Sequence, residues 1–171
     1  MSHIHNRRLA RAALILALAV LFQSLRFLLP VPPLFSTFII GTLVNACLLV
    51  PVEVTGWWAA MFIALVAPVV AWFQQLLPVP LLILPVAAGN TAYVLIYGAL
   101  LHKHRWSGLA LASLAKTFLL YGSVHLLLGL LAIPSNIAAG ILFVMSWPQL
   151  FTALAGGILA NQVTRRLPSV R

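Results

Sequence analysis

Six apolar stretches of about 20 residues each, crossed by very few charges, account for most of this 171-residue chain. A helix that crosses a bilayer takes roughly 20 apolar residues, and in lipid every backbone polar group must be satisfied within the protein. The pattern therefore predicts an all-α integral membrane protein, a bundle of six transmembrane helices forming one domain over residues 1–171. The predicted spans are about 9–29, 34–55, 57–77, 81–101, 107–132 and 136–161. Composition agrees: 63% of residues are hydrophobic and 6% charged, against about 25% charged in ordinary soluble domains. A soluble enzyme, a nucleic-acid-binding module and a disordered chain are excluded by that shortage of polar surface. Six spans leave little room for an extramembrane domain.

The net charge of +9 is a matter of position. Eight of the ten basic residues form three clusters: Arg7, Arg8 and Arg11; Lys103 and Arg105; Arg165, Arg166 and Arg171. Basic residues flanking spans set topology by the positive-inside rule, and this is preferred to a nucleic-acid or lipid-binding patch. Six spans with both termini cytoplasmic place every cluster inside and leave the outer loops without Lys or Arg. Trp57, Trp58 and Trp106 then fall at the inner interface, where indole rings favour the headgroup level. The first apolar stretch is too long for a signal peptide and ends without a small-x-small cleavage site, so it is expected to be a retained span. Proline-marked breaks follow spans one, three and five, at Pro30–Pro33, Pro78–Pro80 and Pro134. Pro51, Pro68, Pro85 and Pro148 lie inside spans, where each is expected to free a carbonyl that neighbours must satisfy.

In so apolar a chain the informative residues are polar ones at membrane depth. Lys116 falls near the middle of span five, where a cation costs roughly 2.5–3.5 kcal/mol on insertion scales. Arg26 lies in the outer third of span one and can snorkel outward. The single acid, Glu53, is expected at the inner end of span two, away from both. Two readings of Lys116 stand: a ligand's anionic or carbonyl oxygens complete its shell, or carbonyls and amides of a neighbouring helix do. Asn90, Tyr93 and Tyr97 share one face of span four by their i, i+3, i+7 spacing. Tyr121 and His125 share a face of span five, Trp147, Gln149 and Thr152 surround Pro148, and Gln23, Gln74 and Gln75 add outer-half amides. Aromatic walls with convergent hydrogen-bonding groups suit a small-molecule pocket. Interhelical hydrogen bonds, worth about 0.6 kcal/mol on average, account for the same residue types.

Small residues at Ala13 and Ala17, and at Ala153, Gly156 and Gly157, allow close helix approach. Cys47, the sole cysteine, is expected as a small core residue. The N-terminal His3 and His5 are read as a disordered polar tail rather than a metal site. There is no paired carboxylate, no Ser/His/Asp set, no H-E-x-x-H and no Gly-rich phosphate loop, so neither a catalytic site nor a cofactor site is expected.

Several segments together resemble the substrate-binding (S) components of energy-coupling factor (ECF) transporters. They are Phe38–Asn45 in span two, Ala67-Pro68 in span three, Leu84-Pro85 with Gly89-Asn90 in span four, Lys116 in span five, and Pro148–Leu150 with Thr152–Gly157 in span six. The resemblance implies a bacterial cell-membrane protein that captures a vitamin or related micronutrient from outside for ATP-driven uptake. It implies docking, through small residues matching Ala13 and Ala17, onto a transmembrane coupling (T) subunit served by two cytoplasmic ATPases. It further implies a pocket at Asn90, Lys116 and Gln149, with Tyr93, Tyr121, His125 and Trp147 as walls, and Arg26 with Pro30–Pro33 bordering a gate. The competing expectation is a non-transport six-span scaffold subunit of a membrane complex such as cell-shape machinery.

Overall fold

The computed structural model describes residues 2–28, 30–131 and 133–167; the side chains of residues 2–5 and 33 are also outside the description. His3, His5 and Arg171 as side chains therefore lie outside the described residues. The helices are α1 (Ser2–Leu28), α2 (Pro33–Val54), α3 (Trp57–Phe73), α4 (Ile83–Leu100), α5 (Arg105–Leu130), α6 (Ser135–Val144) and α7 (Trp147–Thr164), with a short 3-10 turn at Pro80–Leu82. No strand occurs among the described residues. Five helical stretches are long and apolar enough to cross a membrane, counting α6 and α7 as one, and α3 is a shorter apolar helix of 17 residues.

Three departures from the sequence reading have local causes. First, α1 begins at Ser2 rather than near Leu9, so the supposed disordered tail continues the helix; no proline or glycine intervenes to stop it. Second, α3 ends at Phe73, four residues before the expected end of span three. Gln75 adopts a left-handed backbone (φ 56), its N–H bonds the Trp72 carbonyl at 2.8 Å, and that of Leu76 bonds Ala71 at 2.9 Å. That pair of bonds around a left-handed residue is a Schellman stop. Third, span six is two helices. Ser146 is non-helical (φ −101, ψ −130), and Pro148 sits in the first turn of α7. Pro85 likewise lies in the first turn of α4, where a missing N–H breaks no intrahelical bond. Only Pro51 and Pro68 of the four in-span prolines occupy helix interiors.

Helix α2 is the hub, packed on α1, α3, α4 and most closely on α7. Gly41 opposes Thr152, and Gly156 opposes Asn45, Thr42 and Ala46, so α2 and α7 run parallel. A Cβ on Gly156 would lie 2.7 Å from the Thr42 carbonyl oxygen and 3.0 Å from the Ala46 amide nitrogen. The two backbones thus approach as closely as a small-residue contact allows. Gly157 faces Leu109 of α5, and Ala153 is fully buried, so the small-residue face expected on span six is the one that packs. Ala13 and Ala17 on α1 are exposed.

The interior divides into two apolar clusters. One joins Ala46–Val50, Ala60, Ile63, Tyr93, Tyr97 and Leu109; the other joins Ala71, Leu82, Leu120, Val124, Ile141 and Met145. Leu, Phe and Trp side chains cover the outside of the bundle, among them Leu130, Phe73 and Trp58. A surface so apolar is consistent with a membrane-embedded bundle. Arg105 meets Glu53 and Asn161, while Arg11 lines one groove with Val54 and Leu167. The described residues of the three basic clusters accordingly share one end of the bundle, the basic end, and the proline-marked turns share the other.

Candidate functional site

Lys116 lies 12 residues into α5, at the junction of the two apolar clusters, and is 4% exposed. Its ammonium donates to Asn45 Oδ1 of α2 at 2.5 Å and to Asn90 Oδ1 of α4 at 2.8 Å. The Nζ also stands 5.2 Å from the centre of the Tyr93 ring, within cation–π range. Both amides are themselves held. Asn45 Nδ2 donates to Thr152 Oγ1 at 3.2 Å, whose hydroxyl donates to the Gln149 carbonyl at 3.2 Å. Asn90 Nδ2 points at the Ala64 carbonyl at 3.5 Å. That carbonyl is the one Pro68 frees by lacking an N–H, so a kink in α3 and an amide in α4 satisfy each other. Tyr93 is anchored by its hydroxyl, which donates to the Ala153 carbonyl at 2.6 Å.

Beside the ammonium lies a cavity of about 150 Å³. Its polar lining is Lys116, Asn45, Asn90, Gln149 and Gln23, and its apolar walls include Ala67, Pro68, Leu120 and Met145. Gln23 reaches in from α1: its Nε2 donates to the Ala67 carbonyl at 3.1 Å, while its buried Oε1 has no partner among the described residues. Gln149 opens the break between α6 and α7, and its side-chain amide donates to the Val144 carbonyl left open at the end of α6 at 3.2 Å. The cavity occupies the half of the bundle away from the basic end.

The lysine's acceptors are neutral. An ammonium offers three protons, and two are committed to amide oxygens. The chain's single acid, Glu53, is engaged elsewhere: its Oε2 lies 2.9 Å from the Arg105 guanidinium and its Oε1 accepts from the Tyr97 hydroxyl at 2.7 Å. Arg105 also donates to Asn161 Oδ1. This second polar knot ties the ends of α2, α4, α5 and α7 at the basic end. Arg105 thus has a partner as well as a place in a topology cluster.

The structure brings Asn90, Lys116 and Gln149 to one cavity and sets Tyr93 beneath the lysine. The other expected site residues lie outside the lining. Tyr121 and His125 stack on each other, ring centres 6.1 Å apart, on the exposed face of α5. Trp147 is 47% exposed and packs at the helix break against Phe38, Phe143 and Phe151. Arg26 donates to Thr37 Oγ1 at 2.8 Å, tying the last turn of α1 to the first turns of α2. Two members of the site were not singled out from sequence as binding residues. Asn45 carries a signal of its own, an amide 13 residues into α2 that opens the buried run 45–50. Thr152 has no signal beyond its place near Pro148.

No family model, no curated protein and no solved structure matches this chain. The site stands on its geometry alone.

Proposed function

We propose that the protein is the membrane-embedded substrate-binding subunit of an ECF-type importer, taking a vitamin-like molecule with an anionic or carbonyl-rich end into the Lys116 cavity. The observation that carries this reading is the buried ammonium with only neutral acceptors, facing a cavity edged by Gln23, Asn45, Asn90 and Gln149. A buried cation without a counter-charge is costly, and an incoming carboxylate or phosphate recovers that cost. Small-molecule pockets usually measure about 300–1,000 Å³. A cavity of about 150 Å³ therefore accommodates the anionic end of such a ligand. The remainder requires outward movement at the α6–α7 break, where Gln149 sits.

By the positive-inside rule the basic end faces the cytoplasm. The cavity then belongs to the outer half, as capture from outside requires. The exposed Ala13 and Ala17 on α1 supply a flat strip for a coupling subunit, and two ATPases beneath that subunit would supply the energy. Mass spectrometry of small molecules released from the purified protein tests the first part. One anionic species released from the wild type, and lost from Lys116→Met and Gln149→Ala variants that remain folded, is the expected result. Release of the same species from all three sinks the assignment of the pocket. Co-purification with a coupling subunit and paired ATPases is expected; association with cell-shape machinery instead would favour a scaffold.

A further inference from the structure

A second cavity, independent of the Lys116 site, runs along the outside of the bundle between α1, α2 and α7. It has a volume of about 560 Å³. Leu14, Leu18 and Phe22 of α1, Ala46 and Val50 of α2, and Leu159 of α7 supply its walls. Along α1 it extends from Arg11 to Phe22, which at 1.5 Å per residue is about 16 Å, roughly half the hydrocarbon core. Arg11 is the only charged residue of the lining among the described residues, and it lies at the end shared by Val54 and Leu167. Arg7 is one turn away on α1, and Arg165 and Arg166 immediately precede Leu167.

The groove is therefore apolar for its whole length and cationic at one end only. That polarity matches a molecule with a single anionic head and a hydrocarbon tail. A docked helix would favour small residues for close backbone approach, whereas Leu14, Leu18, Phe22 and Leu159 of this wall are large. We propose that the groove holds one acyl chain of an anionic phospholipid, with its phosphate at Arg11 and the arginines of the neighbouring turns. Basic pockets between transmembrane helices on the cytoplasmic side have this chemistry. The arginines that orient the chain would thereby also select a lipid, seated against the α2–α7 contact that supports Asn45.

The test uses the full chain in nanodiscs made from equal amounts of phosphatidylglycerol and phosphatidylcholine, released into the gas phase for native mass spectrometry. One retained phosphatidylglycerol per protein, preferred over phosphatidylcholine, is expected. Arg7→Gln with Arg11→Gln should reduce that preference by roughly fivefold per arginine. Lys103→Gln, at the same end but outside the groove, should leave it unchanged. Leu14→Trp with Leu18→Trp, at the exposed rim, should reduce retention of both lipids. Equal retention of the two lipids by the wild type would overturn the proposal. So would an equal effect of Lys103→Gln, unchanged retention in the tryptophan variant, or recovery of a polypeptide in place of lipid.

Discussion

Removing the Asn90 amide should destabilise the bundle more than removing the lysine it holds, and removing both should be milder than removing Asn90 alone. In Asn90→Leu the ammonium keeps Asn45 as its one acceptor. A lost hydrogen bond to a charge is worth about 1.5–3 kcal/mol, and stripping a partner from a buried charge costs about 3–5. A loss of about 3 kcal/mol is expected. Lys116→Met leaves two amide oxygens unpaired, at about 1–3 kcal/mol each, but removes a cation whose burial costs about 2.5–3.5. Its net loss should be about 1 kcal/mol. In the double variant the Asn45 oxygen and the Ala64 carbonyl are left unpaired and no cation is buried, so the loss should be about 1 kcal/mol. The singles would then sum to at least about 4 kcal/mol against about 1 for the pair, a coupling of at least about 2 kcal/mol. Cys47 provides the assay: it is the sole cysteine and 6% exposed, so a thiol-reactive fluorophore reports unfolding in a denaturant titration. Additive losses within about 0.5 kcal/mol would refute the caged-lysine reasoning. So would an Asn90→Leu variant more stable than Lys116→Met.

Gly156→Ala forces a methyl against the α2 backbone and should cost about 1–3 kcal/mol by the same titration. Gly157→Ala should cost less, because it meets the flexible end of Leu109; the reverse order would contradict the packing. Gln75→Gly relieves a left-handed residue at the end of α3 and should stabilise by about 0.5–1 kcal/mol, read as a higher melting temperature. Arg105→Gln should lower stability by about 1–2 kcal/mol, because Glu53 loses its charged partner, whereas Lys103→Gln should be neutral.

The membrane spans were legible because hydropathy and proline punctuation are local signals. Their interruptions were only half legible. Pro148 marked the trouble in span six, but a proline signals a kink and a helix start alike, and only the backbone at Ser146 distinguishes them. Gln75 gave no warning, since a left-handed turn is expected at glycine and not at glutamine. Within the site, Lys116 declared itself by its cost at membrane depth. Its partners did not. Asn45 is 71 residues away and Asn90 is 26, and periodicity places residues on faces without saying which faces meet. Aromatic residues misled for the same reason. Tyr93, Tyr121 and Trp147 have equal claims by composition, yet the packing of α4 against α5 and α3 buries Tyr93 and leaves the other two at the surface.

The two polar centres differ in a way that bears on the proposed direction of binding. At the basic end, Glu53, Tyr97, Arg105 and Asn161 close the bundle with acid, base, hydroxyl and amide matched to one another. Such a knot has little reason to open, because every member would lose a partner of opposite character. In the other half, Lys116 is held by two amides and the Tyr93 ring, Gln23 has an oxygen without a partner among the described residues, and Gln149 spans a break between two helices. Lys116 can exchange a neutral acceptor for an anionic one and Gln23 Oε1 can accept from a ligand N–H or O–H, while two side-chain bonds, Ser146 to the Phe143 carbonyl and Gln149 to the Val144 carbonyl, hold the α6–α7 junction among the described residues. The proposed anionic ligand entering from that half would strengthen the contact to Lys116; one entering from the basic end would first have to break an ion pair. On the proposed function, the ligand would therefore load from the proline-marked end, and its release at the other end would need the coupling partner which that proposal invokes.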